Sequence, residues 1–192
     1  MTVFCGTSNA GKLREFQLAA PDFEIRALRA PAPEEHGATF AENARLKATY
    51  YGALSSGWVF ADDSGLEVDA LAGAPGVHSA RFAGPDASDQ ANNALLLDRL
   101  RGVPDRSARF VCVIALARDG VVVETFRGSV EGRILEAPRG AHGFGYDPLF
   151  FYQPFGGTFG EASDEQKMSV SHRGQALEKM FAYLRSQRGQ VD

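Results

Sequence analysis

The chain has 192 residues, enough for one substantial hydrophobic core and too few for two comfortable domains. Its content of 44% hydrophobic and 23% charged residues is typical of a globular protein. Its net charge of −4 excludes a general nucleic-acid binder, which needs a strongly basic surface. No apolar run approaches a membrane span, and Cys5 and Cys112 lie in apolar runs typical of buried free thiols in a reducing compartment. We expect a cytoplasmic protein without a membrane or nucleic-acid partner.

Short apolar runs alternate with amphipathic segments, which predicts a mixed α/β fold with parallel crossovers early and an antiparallel hairpin in the middle. The predicted strands cover 2–5, 23–28, a run that begins at Val59, 109–117, 121–127 continuing towards Leu135, and 149–152. Asp119-Gly120 is the strongest hairpin signal.

Helices are predicted after the strand at 2–5 and after each capping residue, with the tail beyond Arg188 frayed. The first places Leu13, Phe16 and Ala20 on one face, and the last places Ala176, Leu177, Met180, Phe181 and Leu184 on one face. The predicted capping residues are Thr39, Asp86 or Ser88, Ser163 and Ser171.

The loop from Gly6 to Lys12 joins the first strand to a helix. Its small residues allow a phosphate to approach the backbone, the helix start favours an anion, and Lys12 adds a positive charge. The spacing Gly-x4-Gly-Lys is that of a P-loop, but Leu13 stands where that motif needs Ser or Thr to bind magnesium. The loop is therefore either a phosphate site outside the P-loop NTPases or a structural strand–helix turn.

The run from Val59 to Ala61 is followed by Asp62, Asp63, Ser64 and Gly65, which predicts a buried strand that ends in a turn. Adjacent carboxylates raise each other's pKa, and a bound divalent ion would remove that conflict. The stretch indicates either a metal or phosphate site at a sheet edge or a solvated turn, and the short motif alone favours the turn.

Thr39 and Glu42 match a capping box, in which the hydroxyl and the carboxylate each accept from a backbone N–H of the first helical turn. Helix capping alone would explain Glu42. The functional alternative is a second carboxylate for magnesium, which takes oxygen ligands and often only one or two from the protein.

Two later segments are candidates for contact with a nucleotide base. Gly143 to Pro148 interleaves Phe144 and Tyr146 with glycines, so the rings could stack on a base, or they could lie in the core. His172 and Arg173 stand at a predicted helix start and, together with Lys167, could donate to a base carbonyl or a phosphate. Surface or structural roles would explain them equally well.

The order of these segments closely resembles that of the inosine/xanthosine triphosphate pyrophosphatases, from Thr2 to about Leu184. The matching segments are Thr-Ser-Asn-x-Gly-Lys at 7–12, Phe-x-Glu-Asn-Ala at 40–44, Ala-Asp-Asp-Ser-Gly-Leu at 61–66, Gly-Ala-Pro-Gly at 73–76, Ser-Ala-Arg-Phe at 79–82, Gly-Phe-Gly-Tyr-Asp-Pro at 143–148 and Ser-His-Arg-Gly at 171–174. The segment 153–162 is unlike that family, so its role is open.

The resemblance implies a long, twisted mixed β-sheet flanked by helices, in a single domain over residues 1–192 with two lobes around a central nucleotide cleft, usually as a homodimer. It implies Mg2+-dependent hydrolysis of the purine nucleoside triphosphates ITP, dITP and XTP to the monophosphate and pyrophosphate. This reaction would clear deaminated purines from the nucleotide pool before they enter DNA or RNA.

The resemblance also implies residue roles. Asp63 is the catalytic base for the attacking water, Glu42 and Asp63 bind magnesium, and Ser64 contacts the substrate. The triphosphate is bound by Thr7, Ser8, Asn9, Ala10, Gly11 and Lys12. The purine base of the nucleotide is bound by Phe144, Gly145, Tyr146, Asp147, Lys167, His172 and Arg173. Asp62 is left as a supporting residue beside Lys12 or the metal waters.

Three other functions fit parts of the pattern. A P-loop ATPase or GTPase would release phosphate, and Leu13 argues against it. A non-catalytic nucleotide-binding module would turn nothing over, but two acidic segments beside a phosphate loop favour an enzyme. A pyrophosphatase of similar fold could act on pyrimidine or modified nucleotides.

Overall fold

The structure is a computed structural model that describes residues 1–19 and 21–188, the last of these by its backbone alone. Within these residues the strands are β1 (Thr2–Cys5), β2 (Glu24–Ala27), β3 (Trp58–Val68), β4 (Ser107–Arg118), β5 (Val121–Ile134), β6 (Phe150–Tyr152) and β7 (Gly157–Thr158). The α-helices are α1 (Ala10–Leu18), α2 (Phe40–Gly52), α3 (Asp89–Arg99), α4 (Asp164–Val170) and α5 (His172–Arg188). Short 3-10 helices lie at Asp69–Leu71, Gly76–Arg81 and Gln153–Phe155.

The strands form one sheet in the order β2-β1-β3-β4-β5-β6-β7. Strand β1 pairs in parallel with β2 and β3, whereas β6 pairs in antiparallel fashion with β5 and β7. The prediction of an α/β fold with a mixed sheet flanked by helices is therefore confirmed.

The chain divides into two compact units. The first comprises Met1–Asp63, Cys112–Gly128 and the chain from His172 onward, and the second comprises Ser64–Val111 and Ser129–Ser171. Strands β3, β4 and β5 each contribute residues to both units. The single domain with two lobes around a nucleotide cleft stays a prediction.

Local sequence signals placed most helix starts correctly. Capping boxes begin α2 at Thr39 and α4 at Ser163, and the Ser88 side chain caps α3. Asp119 and Gly120 have φ angles of 51° and 81° and connect β4 to β5, as the hairpin signal predicted. The predicted helix position Ala20 and the predicted frayed tail after Arg188 lie outside the described residues.

Each unit has its own buried apolar residues. In the first unit the predicted face of α5 is buried throughout: Ala176, Leu177, Met180, Phe181 and Leu184. In the second unit Leu66, Leu96, Phe110 and Phe150 belong to one core cluster. The segment 153–162, open from sequence, adds β7 and places Phe159 in that cluster, parallel to the Phe110 ring.

One sequence prediction is wrong. The strand that begins near Val59 does not end in a turn at Asp62, because β3 continues without interruption to Val68 and carries both carboxylates inside the sheet. Cationic side chains from three helices neutralise them there, as described below. No helix in the described part of the chain has both the length and the apolar composition needed to cross a bilayer.

Gly128 in β5 provides a test of the first unit's packing. A Cβ atom there would lie 2.0 Å from the backbone oxygen of His172, which cannot rotate away. In β7, the atom nearest to a Cβ on Gly157 would be Oε2 at the end of the Glu161 side chain, at 3.1 Å. We expect Gly128→Ala to lower the free energy of unfolding by about 3 kcal/mol or more, and the control Gly157→Ala by less than about 1 kcal/mol. Urea denaturation measures both values, and equal losses would contradict this packing.

Candidate active site

The loop between β1 and α1 is built so that a helix start is exposed to solvent. The Gly6 N–H donates to the Phe60 oxygen at 2.9 Å, and a Cβ on Gly6 would overlap the Tyr51 ring. The Asn9 side chain caps α1 by accepting from the Lys12 N–H at 3.0 Å. Ser8, Asn9 and Ala10 are exposed. The first N–H groups of α1 therefore point from an exposed helix end, where an anion is favoured.

Lys12 projects from the first turn of α1 onto Asp62 of β3. Its Nζ lies 3.0 Å from both carboxylate oxygens, and the Asp62 side chain is almost completely buried. The sequence prediction placed Asp62 beside Lys12 as a supporting residue, and the structure places the two in direct contact. A buried carboxylate paired in this way stays ionised and fixes the ammonium group at the helix start.

Arg173 is the second cation beside Asp62. Its guanidinium lies 3.3 Å from Asp62 Oδ2 and 2.5 Å from Glu15 Oε2, and its side chain is only 2% exposed. The sequence prediction assigned Arg173 to the nucleotide base. Its guanidinium connects α5 to α1 and anchors the β3 carboxylate of Asp62, and a contact between Arg173 and a nucleotide base stays a prediction.

Asp63 has different partners on α2. Its Oδ1 accepts from Lys47 Nζ at 2.9 Å, and its Oδ2 accepts from Asn43 Nδ2 at 3.2 Å. Lys47 also pairs with Glu35 Oε1 at 2.8 Å. Lys47 is therefore shared between the carboxylates of Asp63 and Glu35. Asp62, by contrast, is paired with two cations, Lys12 and Arg173.

The pleat of β3 explains this division of partners. Successive side chains of a strand point to opposite faces, so Asp62 and Asp63 must be neutralised from opposite sides. Phe60, on the same face as Asp62, packs edge-to-face on Phe16 of α1 at 5.0 Å. Helices α1 and α5 thus supply the cations that neutralise the carboxylate on one face of β3, and α2 supplies the cation on the other face.

The two adjacent carboxylates have opposite pKa shifts. Burial alone would raise the pKa of Asp62, but the charges of Lys12, Arg173 and Lys47 outweigh burial and hold the pKa far below its usual range. Burial raises the pKa of Asp63, and Lys47 offsets this only in part. Burial would lower the pKa of Lys47, but Asp63, Asp62 and Glu35 raise it, so Lys47 stays protonated. Asp63 is consequently the carboxylate that can more readily accept a proton.

Glu42 forms the predicted capping box at the start of α2. Its Oε2 accepts from the backbone N–H groups of Ala38 at 2.7 Å and Thr39 at 3.1 Å, and the residue is exposed. The capping interpretation is confirmed. A role in binding metal stays a prediction.

The described residues contain no group of three His, Cys, Asp or Glu side chains close enough to enclose a metal ion. The carboxylates of Glu42 and Asp63 nevertheless offer the hard oxygen ligands that magnesium prefers. Magnesium in nucleotide enzymes commonly takes one or two protein carboxylates together with substrate phosphates. A magnesium ion that arrives with its nucleotide and is held by Glu42 and Asp63 stays a prediction.

Sequence reasoning missed Asn43, Lys47, Glu35 and Glu15 as site residues. Two of them had a readable signal: Asn43 and Lys47 stand four residues apart within the buried stripe of α2 that also holds Ala44 and Ala48. Polar residues on a buried helix face need partners. Nothing local to Glu15 or Glu35 indicates that either belongs to this cluster.

In the second unit, the structure brings Phe144, Asp147 and Lys167 together. Asp147 Oδ2 accepts from Lys167 Nζ at 2.6 Å and from the Phe144 N–H at 2.9 Å, and both charged side chains are 3% exposed. Lys167 Nζ also lies 4.8 Å from the centroid of the Phe144 ring, a cation–π distance. A Cβ on Gly143 would lie 2.1 Å from Asp147 Oδ2, so only glycine fits there.

Other predicted substrate-binding residues have structural surroundings. The Tyr146 ring lies in the core cluster, and its hydroxyl donates to the Ser79 oxygen at 2.7 Å, so this ring is not available to stack on a base. His172 is buried in the first turn of α5. Ser64 lies half-buried within β3. The Thr7 side chain accepts from the Asn9 N–H at 3.1 Å within the loop from Gly6 to Lys12, called here the phosphate-loop candidate.

Comparison with known proteins gives one consistent match. A model of the Ham1 family matches residues 3–183. The dITP/XTP pyrophosphatase of Acidobacterium capsulatum is 49% identical over 96% of this chain and 98% of its own. That of Thermus thermophilus is 47% identical over 94% of this chain and 90% of its own. The solved Staphylococcus aureus Ham1 protein is 38% identical, with a TM-score of 0.86 over 97% of this chain and 100% of its own.

The opposite pKa shifts predict opposite effects of neutralising the two carboxylates. A pKa lowered on folding means that ionised Asp62 stabilises the fold above its unfolded pKa of about 3.9, and that this contribution is lost as the pH falls. The raised pKa of Asp63 means that its ionisation costs stability as the pH rises.

We therefore expect Asp62→Asn to lower the free energy of unfolding by about 3 kcal/mol or more at pH 7, because it leaves Arg173 and Lys12 short of a buried anion. The difference from wild type should narrow as the pH falls towards about 3. Asp63→Asn should leave stability unchanged or raise it. Urea denaturation across this pH range measures both variants, and equal losses at pH 7 would contradict the division of charges.

Proposed function

Because the chain belongs to the Ham1 family, we propose that it hydrolyses the non-standard purine nucleoside triphosphates ITP, dITP and XTP to the monophosphate and pyrophosphate. The observation that carries this proposal is the pair of adjacent buried carboxylates beside the phosphate-loop candidate, one held ionised and one with a raised pKa. The names of relatives about half identical over nearly the whole chain support the substrate class. Such hydrolysis keeps deaminated purines out of DNA and RNA.

We assign the triphosphate to the start of α1. The N–H groups of the first helical turn and the Lys12 ammonium are complementary to an anion, and the small residues Ser8 to Gly11 let a phosphate approach the backbone. Asp62 holds the Lys12 ammonium in place from below. Charge on the leaving pyrophosphate would then be offset by a group that needs little reorganisation.

We assign the water-activating role to Asp63. Its raised pKa makes it a better proton acceptor than an ordinary surface carboxylate, and Asn43 and Lys47 fix its orientation through both oxygens. Glu42 and Asp63 are the residues that would hold magnesium. A bound magnesium ion supplies Lewis-acid polarisation of the phosphates and lowers the pKa of a coordinated water.

We assign recognition of the base to Phe144, Asp147 and Lys167. The Lys167 ammonium, which Asp147 holds at 2.6 Å, would donate to a 6-oxo group. Adenine presents an amine at that position, which would leave the donor unpaired. His172 remains a second candidate donor, and the 2-amino group of guanine must be excluded by shape or by an unpaired donor.

We further propose a cytoplasmic homodimer, whose mass light scattering would measure.

A pyrophosphate-release assay tests the proposed function directly. The purified chain is given ITP, dITP, XTP, GTP and ATP, each with magnesium and with excess EDTA. We expect pyrophosphate from ITP, dITP and XTP at least about tenfold faster than from GTP or ATP, and loss of release with EDTA. Equal rates for all five would remove the base selectivity. Release of inorganic phosphate alone would indicate an ATPase or GTPase, and binding without turnover would indicate a non-catalytic module.

The role of Asp63 has its own test. Asp63→Asn keeps the shape of the side chain and removes its basicity, so we expect kcat for ITP to fall by on the order of 100-fold or more. Asp98→Asn is the control, because Asp98 is exposed on α3 and pairs with Arg101 just beyond the end of that helix. Near-normal turnover in Asp63→Asn would assign the base to another group.

A further inference from the structure

Helix α3 holds the backbone of Gly145 from two positions. Asp89 Oδ2 accepts from the Gly145 N–H at 2.6 Å, and Asn93 Nδ2 donates to the Gly145 oxygen at 3.1 Å. Asp89 and Asn93 are four residues apart and therefore neighbours on one helix face. Together they bind both polar backbone groups of a single residue, an arrangement called here the α3 clamp.

Gly145 adopts a backbone conformation that needs such support. Its φ angle of 61° lies in the left-handed region, which glycine tolerates but also leaves easily. Apart from its chain neighbours, no atom lies within 4 Å of the position that a Cβ would occupy, so this side of the residue is open. The two hydrogen bonds from α3 hold both polar backbone groups of Gly145 in this conformation.

The clamp lies between two anchored residues of the loop 143–148, called here the base-recognition loop. On one side, the Tyr146 hydroxyl is bound to the Ser79 oxygen and its ring is in the core. On the other side, Phe144 is tied through its N–H to Asp147, and its ring faces Lys167. A change at Gly145 would leave Tyr146 in place and move the Phe144 ring relative to Lys167.

The Asn93 side chain lowers the stability of the fold at this position. Its Oδ1 is buried and has no hydrogen-bond partner among the residues that the structure describes. A buried unsatisfied amide oxygen is destabilising. Stability alone would favour an apolar side chain of similar size, so the amide serves its remaining contact, the bond to the Gly145 oxygen.

We propose that Asp89 and Asn93 are positioning residues that set affinity and selectivity for the base by fixing Gly145, and through it Phe144 and Lys167. This inference rests on the proposed function, in which those two residues contact the base. Asp89 and Asn93 act through the loop backbone and need not touch the substrate.

Steady-state kinetics of four variants test the α3 clamp. Asp89→Ala removes the acceptor from an exposed side chain, so the fold should tolerate it. We expect the KM for ITP to rise about tenfold with kcat changed less than about threefold, and the ITP-to-ATP ratio of kcat/KM to fall. Asp89→Asn retains an acceptor oxygen and should recover most of the wild-type KM. Asp98→Ala, on the same helix and away from the loop, should match wild type.

The fourth variant, Asn93→Leu, distinguishes positioning from structural support. We expect a KM for ITP raised about threefold together with a melting temperature that is unchanged or higher, because the buried amide is gone. Hydrogen exchange at 143–147 should be faster in this variant and in Asp89→Ala, which verifies that the clamp has been released.

The outcomes separate the two proposals. Faster exchange with unchanged KM and unchanged selectivity in both variants would overturn the clamp and leave the proposed function intact. Unaltered exchange in both variants would also overturn it, because Gly145 would then be held by other contacts. A wild-type chain that hydrolyses neither ITP nor XTP would overturn the proposed function, and the role assigned to the clamp with it.

Discussion

Two carboxylates buried next to each other in the middle of a strand are the constraint on which the first unit depends. Strand β3 can carry Asp62 and Asp63 only if each receives a cation, and the pleat sends them to opposite faces. Lys12 of α1 and Arg173 of α5 serve one face, and Lys47 of α2 serves the other. The strand, three helices and the loop that begins α1 are thereby joined through charge as well as apolar contact. Removing Asp62 from this network would leave Lys12 and Arg173 short of a buried anion, which costs several kcal/mol.

The network is unequal, and this inequality has chemical consequences. Asp62 has two full cations at bonding distance, whereas Asp63 shares one lysine with Glu35. A carboxylate with excess cationic partners is a fixed anion that cannot take up a proton near neutral pH. A carboxylate with too little compensation is held at a raised pKa by burial, a state that costs stability but suits proton transfer. Two residues of the same type, adjacent in sequence, thus have opposite pKa shifts through their surroundings alone, and the raised pKa of Asp63 suits the base role proposed for it.

The sequence was sufficient for features that depend on neighbours along the chain. The capping boxes at Thr39 and Ser163, the Asp119-Gly120 hairpin and the buried face of α5 all follow from spacing over a few residues. The site depends on distant pairs: Arg173 binds residues 111 and 158 positions away, and no local pattern encodes those contacts. The same limit explains the error at Asp62, since a turn follows from two unpaired acids and a continuous strand follows once their cations are known.

Both units retain groups that stability does not explain. Burial raises the pKa of Asp63, and Asn93 buries an amide oxygen that has no hydrogen-bond partner within residues 1–19 and 21–188. A sequence that had been optimised for the fold alone would place apolar or fully paired side chains at both positions. Each of these groups contacts a segment of the proposed site: Asp63 bonds to Lys47 and Asn43 of α2, and Asn93 bonds to the loop that carries Phe144. Local destabilisation offset by the rest of the fold is typical of functional sites, where a fixed geometry matters more than the last kcal/mol of stability. By this reasoning α3 supports the loop that is proposed to recognise the base, although no segment of α3 contributed to the family resemblance.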